Sequence, residues 1–381
     1  MANNTVILKK GGNMVYIEQL LHDRNLPDVL TLKNGKKVTC QADFEKRKEE
    51  IKKLLENNVF GIMPPKPTHL WVEEVEVDAR FCASKAILKK IKIHFELDGK
   101  EGSFPASVIL PQSEGKHPAF VNINFYPEIP NKYLPAEEIV DRGYAVFYLH
   151  YNDVVLDKCN SFKNGIAPLL KYGKGKKNTG KIAMWAWAAS RLADYALTLE
   201  EIDGDNLAVV GHSRLGKTAL LAGAFDERFK YIISNNSGCT GAALTRGKIG
   251  ESLAKITEVF PYWFCKKYAE YSADESLLPL DQHFLLALSV PRHILVGSAK
   301  EDLWADPASE FLSLAAVKEV YALYGKRGLI HKDEVPEVKP DGTKTVLADG
   351  DACYHIRGGT HYLSREDWNV YMDYIDKNRE F

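Results

Sequence analysis

Leu207-Ala-Val-Val-Gly-His-Ser-Arg-Leu-Gly-Lys-Thr-Ala-Leu220 decides how this chain is read. Apolar residues, Val209 and Val210 among them, run into Gly211-His212-Ser213, and a good helix-forming stretch follows. β-Branched apolar runs suit a buried strand, whereas Arg, Leu, Lys and Ala suit a helix. The junction reads as a tight, glycine-flanked turn carrying one serine. Such a turn lifts the serine hydroxyl out at the carboxyl end of a sheet. There the backbone N–H groups of the new helix can stabilise an oxyanion. The usual glycine two residues after the serine is Leu215 here, and the glycine comes one place later, at Gly216. A Gly-x-Ser triplet is a weak signal by itself, so the serine's partners must be sought downstream.

A chain of 381 residues can bury a large core. Lys plus Arg number 50 against 51 acidic residues, a net charge of −1, so no global field recruits nucleic acid or anionic lipid. No apolar run approaches the roughly 18 residues of a membrane span. The first ten residues lack the apolar stretch of a secretory leader, which predicts a cytoplasmic protein. Cysteines stand at 40, 82, 159, 239, 265 and 353 with no Cys-x-x-Cys pair, a spacing of free thiols rather than of disulfides or zinc ligands.

Residues 44–58 read as a charged helix ending before Gly61 and Pro64-Pro65. Alternation in Trp71-Val-Glu-Glu-Val-Glu-Val77 and Ile91-Lys-Ile-His-Phe-Glu-Leu97 predicts antiparallel hairpin strands. Buried-type strands follow at 119–125, 144–149, 207–210, 231–233 and 294–297, with helices over about 179–199 and 307–324. Strands alternating with helices imply an α/β class: a mostly parallel central sheet with helices on both faces, after an antiparallel start. That is the layout of an α/β-hydrolase, here as a catalytic domain over residues 66–381 behind an N-terminal helical extension, residues 1–65. The basic run Lys171-Tyr-Gly-Lys-Gly-Lys-Lys-Asn-Thr-Gly-Lys181 reads first as a solvated loop and second as a patch for acidic substrate. With residues 151–170 it makes a long irregular connection expected near the active-site rim.

Serine needs a base within reach and a carboxylate to orient that base. In α/β-hydrolases the order along the chain is Ser, then Asp or Glu, then His. Past a strand, Glu301-Asp302 precedes Trp304 and Asp306, and Arg357-Gly-Gly-Thr-His361 offers a histidine on a turn before a terminal helix. Order and placement predict Ser213, Asp302 and His361 as a catalytic triad, with Glu301 and Asp306 as alternative acids. Ser213 as a plain helix N-cap is the competing reading. His212 is expected to point the wrong way off the turn, and His283 to be structural; His150 and His355 stay as alternative bases. The backbone N–H of Arg214 stands where an oxyanion donor belongs. Lys217, one helical turn after the serine, suits a polar ligand better than burial.

Several motifs together resemble the glucuronoyl esterases, carbohydrate esterase family fifteen. They are Gly211-His-Ser-Arg-Leu-Gly-Lys217, Asn235-Asn-Ser-Gly-Cys-Thr-Gly241, Pro279-Leu-Asp-Gln-His283, Ala287-Leu-Ser-Val-Pro-Arg292 and Glu301-Asp-Leu-Trp-Ala-Asp-Pro307. The resemblance runs from about residue 110 to the C-terminus, and Ser-Arg-x-Gly-Lys is its specific part. It implies a serine esterase that cleaves the ester between a glucuronic acid branch of xylan and a lignin alcohol, without metal or cofactor. It also implies Ser213 as nucleophile, His361 as base and the Arg214 side chain as oxyanion stabiliser. Lys217, Glu251 and Trp304 match positions that hold the uronate sugar; a helix-surface role for Glu251 and a core role for Trp304 are the alternatives. Some members carry the acid where this chain has Asn236, which returns that role to Asp302. The expected partner is a small uronate or oligosaccharide ester. An acetyl or other small-acyl esterase is the nearest rival, and an inactive sugar-acid binding protein a more distant one.

Overall fold

Alternation along the chain resolves into one sheet of ten strands among residues 16–379, the part that the computed structural model describes. The first ten residues, on which the expectation about a secretory leader rests, lie outside the described residues. The strands are β1 (His69–Arg80), β2 (Ala86–Leu97), β3 (Lys100–Pro111), β4 (His117–Asn124), β5 (Ala145–His150), β6 (Ile202–His212), β7 (Tyr231–Asn235), β8 (His293–Ala299), β9 (Thr345–Leu347) and β10 (Ala352–Arg357). Their spatial order is β1-β2-β3-β5-β4-β6-β7-β8-β10-β9. The pairs from β1 to β5 are antiparallel, the run β5-β4-β6-β7-β8-β10 is parallel, and β9 closes antiparallel on β10. This is the α/β-hydrolase fold.

Every residue of β4 is buried, as a strand covered on both faces requires. Period-two alternation divides the central strands between two cores. Val121, Phe147, Val209 and Ile232 face one, while Phe120, Val146, Val210 and Ile233 face the other. The helical segments are α1 (Ile17–Asp23), α2 (Gln41–Leu55), the left-handed turn α3 (Phe81–Ser84), α4 (Ala136–Asp141), α5 (Tyr151–Val154), α6 (Lys181–Ala196), α7 (Arg214–Phe225), α8 (Leu253–Val259), α9 (Gln282–Ala287), α10 (Pro307–Ala315), α11 (Lys318–Ala322) and α12 (Arg365–Asn378). Helix α6 is buried almost all round, with Trp185 and Trp187 inside; each such ring contributes about 2–3 kcal/mol by area alone. Helix α12 covers the second core with Trp368, Tyr371 and Ile375, and Ser364 with Asp367 closes a capping box at its start.

Ile17, Val29, Phe44, Ile51 and Val59 join the first core, so the described N-terminal segment shares apolar packing with the sheet. Trp187 Nε1 donates to the Pro65 carbonyl at 2.7 Å, and Gly180 N–H to that of Phe60 at 2.8 Å. The single helix expected over 307–324 is two helices. The backbone leaves helical values at Val317 (φ −96°, ψ 8°), which is fully buried. Among the described residues no helix is long and apolar enough to cross a membrane.

Candidate active site

Strand β6 ends at His212, and Ser213 turns the chain into α7 with φ 57° and ψ −127°. That backbone region is strained for any residue but glycine. It is held by the Ser213 N–H, which donates to Asn235 O at 2.8 Å, and by the Ser213 carbonyl, which accepts from Gly216 and Lys217 N–H at 2.9 and 3.2 Å. The serine side chain makes no capping bond, which removes the plain N-cap reading. A Cβ on Gly211 would lie 2.1 Å from Leu215 O, so only glycine lets the helix fold back this tightly. Gly216 takes the closeness from the other side, where a Cβ would stand 3.0 Å from Ser237 Cβ. Leu215 is free to be a core residue and is fully buried.

His361 Nδ1 lies 2.5 Å from Asp302 Oδ2. The carboxylate side chain is 3% exposed and the imidazole 42%, so one partner is fixed in the interior while the other reaches the surface. Arg357 fixes the turn that carries His361. Its Nε donates to Asp367 Oδ2 at 2.8 Å, its Nη1 to Gly358 O at 2.8 Å, and its Nη2 to Tyr362 O. Burial alone would raise the Asp302 carboxyl. The bonds from His361 and Asn236 and the Ala305 N–H overcome that, and hold it below the usual carboxylate range. Asn236 Nδ2 donates to Asp302 Oδ2 at 2.9 Å. Asn236 thus supports the Asp302 carboxylate from the side.

Glu301 is exposed and bonds the Gly359 N–H at 3.3 Å, away from the imidazole. Asp306 caps α10 through Ser309 N–H at 3.2 Å and also bonds Ile249 N–H. The rival histidines are placed elsewhere. His283 Nε2 meets Pro27 O at 3.0 Å in the interior, His150 pairs with Asp153 at 3.1 Å, and the fully buried His355 pairs with Asp367 at 2.7 Å. His212 is buried with Nδ1 on Asn235 Oδ1 at 2.7 Å, and its ring centroid is 4.5 Å from that of His361. The residue before the serine therefore abuts His361. Burial first, and the neighbouring His361 second, push His212 down to about 3, so it is neutral.

The Arg214 guanidinium is ion-paired with Asp157 and lies 4.6 Å from the Trp263 ring centroid, with Phe125 and Phe260 completing the cage. Lys217 is buried one helical turn after the serine. It is 4% exposed, with Nζ donating to Ser237 O and, at 2.6 Å, to Cys239 O, so backbone carbonyls account for a buried cation there. Burial lowers its pKa, and Glu251 at 3.8 Å opposes that. Glu251 precedes the N-cap of α8 and is buried, so it is no helix-surface residue; its N–H donates to Trp304 O at 3.0 Å. Trp304 is 54% exposed, which excludes the core role. Lys217, Glu251 and Trp304 are thus consecutive neighbours.

Sequence reading missed two further residues beside this site. Asp157 lies 57 residues before Arg214 in an irregular connection without a motif. Glu310, fully buried on α10, accepts from Ser298 Oγ at 2.6 Å and Gly238 N–H at 2.9 Å, and burial pushes it up to about 7. It anchors the turn whose carbonyls hold Lys217. The basic run 171–181 is exposed at Lys171, Lys174, Lys176 and Lys177, while Lys181 is buried on the carbonyls of Leu156 and Lys158. Among the described residues no three His, Cys, Asp or Glu side chains gather as metal ligands would, and all six cysteines are free.

The family described as "Glucuronyl esterase, fungi" matches residues 93–325. Carbohydrate esterase MZ0003, from an unknown prokaryotic organism, is 35% identical over 95% of this chain and 91% of its own length. A 4-O-methyl-glucuronoyl methylesterase of Podospora anserina is 29% identical over 79% of this chain and 60% of its own. Among solved structures, a glucuronoyl esterase from Solibacter usitatus superposes with a TM-score of 0.83 at 31% identity, covering 92% of this chain and 97% of that one.

Proposed function

The chain belongs to the glucuronoyl esterase family, and on that premise we propose that this carboxylic ester hydrolase cleaves esters of glucuronic acid or a related sugar acid through a Ser213–His361–Asp302 triad and an acyl-enzyme. The observation that carries the reading is the buried Asp302 bonded to a half-exposed His361, whose ring lies 4.5 Å from that of His212, the residue before the strained serine turn. A carboxylate accepting from Nδ1–H leaves His361 Nε2 bare, ready to take the Ser213 hydroxyl proton. Ser213 Oγ attacks the ester carbonyl, and Asp302 stabilises the imidazolium that forms. Arg214 and the first N–H groups of α7, which have no intrahelical partner, receive the oxyanion. As the tetrahedral intermediate collapses, His361 returns the proton to the leaving alcohol. Water then repeats the sequence and frees the sugar acid. Lys217, Glu251 and Trp304 bind the sugar ring, the lysine ammonium standing 3.8 Å from Glu251.

The test compares hydrolysis of a methyl ester of glucuronic acid with that of 4-nitrophenyl acetate, with Ser213→Ala as control. Serine-dependent turnover of the uronate ester well above acetate is expected, since a site built on substrate hydroxyls rejects analogues lacking them by roughly 10⁴. Turnover of acetate alone would contradict the sugar-acid reading.

A further inference from the structure

Arg214 follows the nucleophile directly, and its guanidinium is not free to move. One end, Nη1, is paired with Asp157 Oδ2. Its carbon sits 4.6 Å from the ring centroid of Trp263, which stacks on Phe260 at 3.8 Å with their planes 1° apart. Its Nε is buried and has no hydrogen-bond partner. That atom has no surface for a substrate oxygen to reach, so the open side of the guanidinium, whose side chain is 27% exposed, is the part that can meet an oxygen that becomes negative.

Asp157 is itself over-determined. Its side chain is 7% exposed, Oδ1 accepts from Trp263 Nε1 at 2.6 Å, and Oδ2 also faces the Tyr151 hydroxyl at 3.3 Å. Its N–H donates to Asn152 Oδ1 at 2.8 Å. The loop behind it is tied down as well: Lys181 Nζ donates to the carbonyls of Leu156 and Lys158, on either side of Asp157, and meets Ser161 Oγ. A carboxylate held from both sides by an indole N–H and a clamped loop is a rigid support for a flexible arginine.

The geometry points to Asp157 as the residue that positions Arg214 for the oxyanion, with Trp263 and Lys181 holding Asp157 in turn. The assignment rests on the proposed role of Arg214 in the reaction. Asp157 touches no reacting atom; it fixes one end of the guanidinium so that its open side meets charge that exists only in the transition state. A support of that kind acts on kcat and leaves ground-state binding alone. A merely structural ion pair would change stability, not this ratio.

A double-mutant cycle tests it, with kcat and KM measured for a glucuronate methyl ester. Arg214→Met is expected to lower kcat by about 10² to 10³, the range for loss of one oxyanion donor. Asp157→Asn, which keeps the shape and removes the charge, is expected to lower kcat by about tenfold or more with KM within about twofold. In the Arg214→Met background Asp157→Asn should cost less than about twofold further, because its only effect runs through the arginine. Trp263→Phe, which keeps the stack and deletes the bond to Asp157, should reproduce the kcat loss in smaller measure and covers the case in which Asp157→Asn fails to fold. Losses that multiply in the double variant would overturn the assignment, as would a rise in KM at unchanged kcat. Full kcat in Arg214→Met, with Ser213→Ala inactive, would instead remove the arginine from the oxyanion site and the Asp157 role with it. Activity in Ser213→Ala would strike the serine reading itself.

Discussion

One oxygen of Asp302 accepts from both His361 and Asn236, so the imidazole and the amide share a single centre of negative charge. A neutral amide in place of this carboxylate could still be seated there but would not stabilise the imidazolium or select its tautomer. Asp302→Asn should therefore lower kcat by about 10³ to 10⁴, while Glu301→Gln, exposed and turned toward Gly359, should stay within about threefold. Steady-state kinetics of the two variants decide between neighbouring carboxylates. Asn236→Asp asks a different question. A second carboxylate against Asp302 favours the protonated imidazole, so the acid limb of kcat/KM should move to higher pH. An unmoved limb in the pH profile would mean that the Asn236 side chain has no electrical hold on the pair.

At the scale of the element, β6, the serine turn and α7 act as one unit in which small parts must meet. Gly211→Ala would place a Cβ 2.1 Å from Leu215 O and 2.4 Å from Leu215 C, and both are backbone atoms, so neither can yield. Thermal unfolding and kcat should fall together, since the strand cannot separate from the helix without moving Ser213. His212 gives the same unit a pH dependence. Burial holds its folded-state pKa at about 3, against an ordinary value near 6.5. Between those values the unfolded chain binds more protons than the folded one, so stability falls as pH drops through that window. His212→Gln keeps a donor for Asn235 Oδ1 and removes the titration, so urea unfolding at stepped pH should show a flatter profile there. An equally steep profile would place the acid sensitivity elsewhere. Much of this unit is legible in the sequence, because strand, glycine, serine and helix are contiguous and each has a local signature. The placement of Leu215 and Gly216 is not, since it depends on how closely the turn after β7 approaches α7.

For the whole molecule, chain order and alternation carry the sheet and bring Asp302 and His361 to one edge, because strand ends after β8 and β10 are neighbours in a parallel sheet. What the sequence does not disclose are long-range supports with no pattern of their own: Asp157 under Arg214, Glu310 under the Lys217 turn, Val317 breaking a helix. Each exists only once distant segments meet. The N-terminal segment belongs to the same class of contacts. Phe44, Ile51 and Val59 lie in the main core, and Pro65 O receives Trp187, so trimming the chain to residues 66–381 would uncover α6. The shortened protein should melt well below the full chain in calorimetry; an unchanged melting temperature would show that the extension adds nothing to the core. The central claim concerns Ser213, and its most direct measurement is kcat for a glucuronate methyl ester with Ser213→Ala, followed by release of the acid. A loss of about 10⁴ or more is predicted, as removal of a nucleophile in a working triad requires. Turnover within about tenfold of the parent would contradict it and place the ester chemistry on another residue.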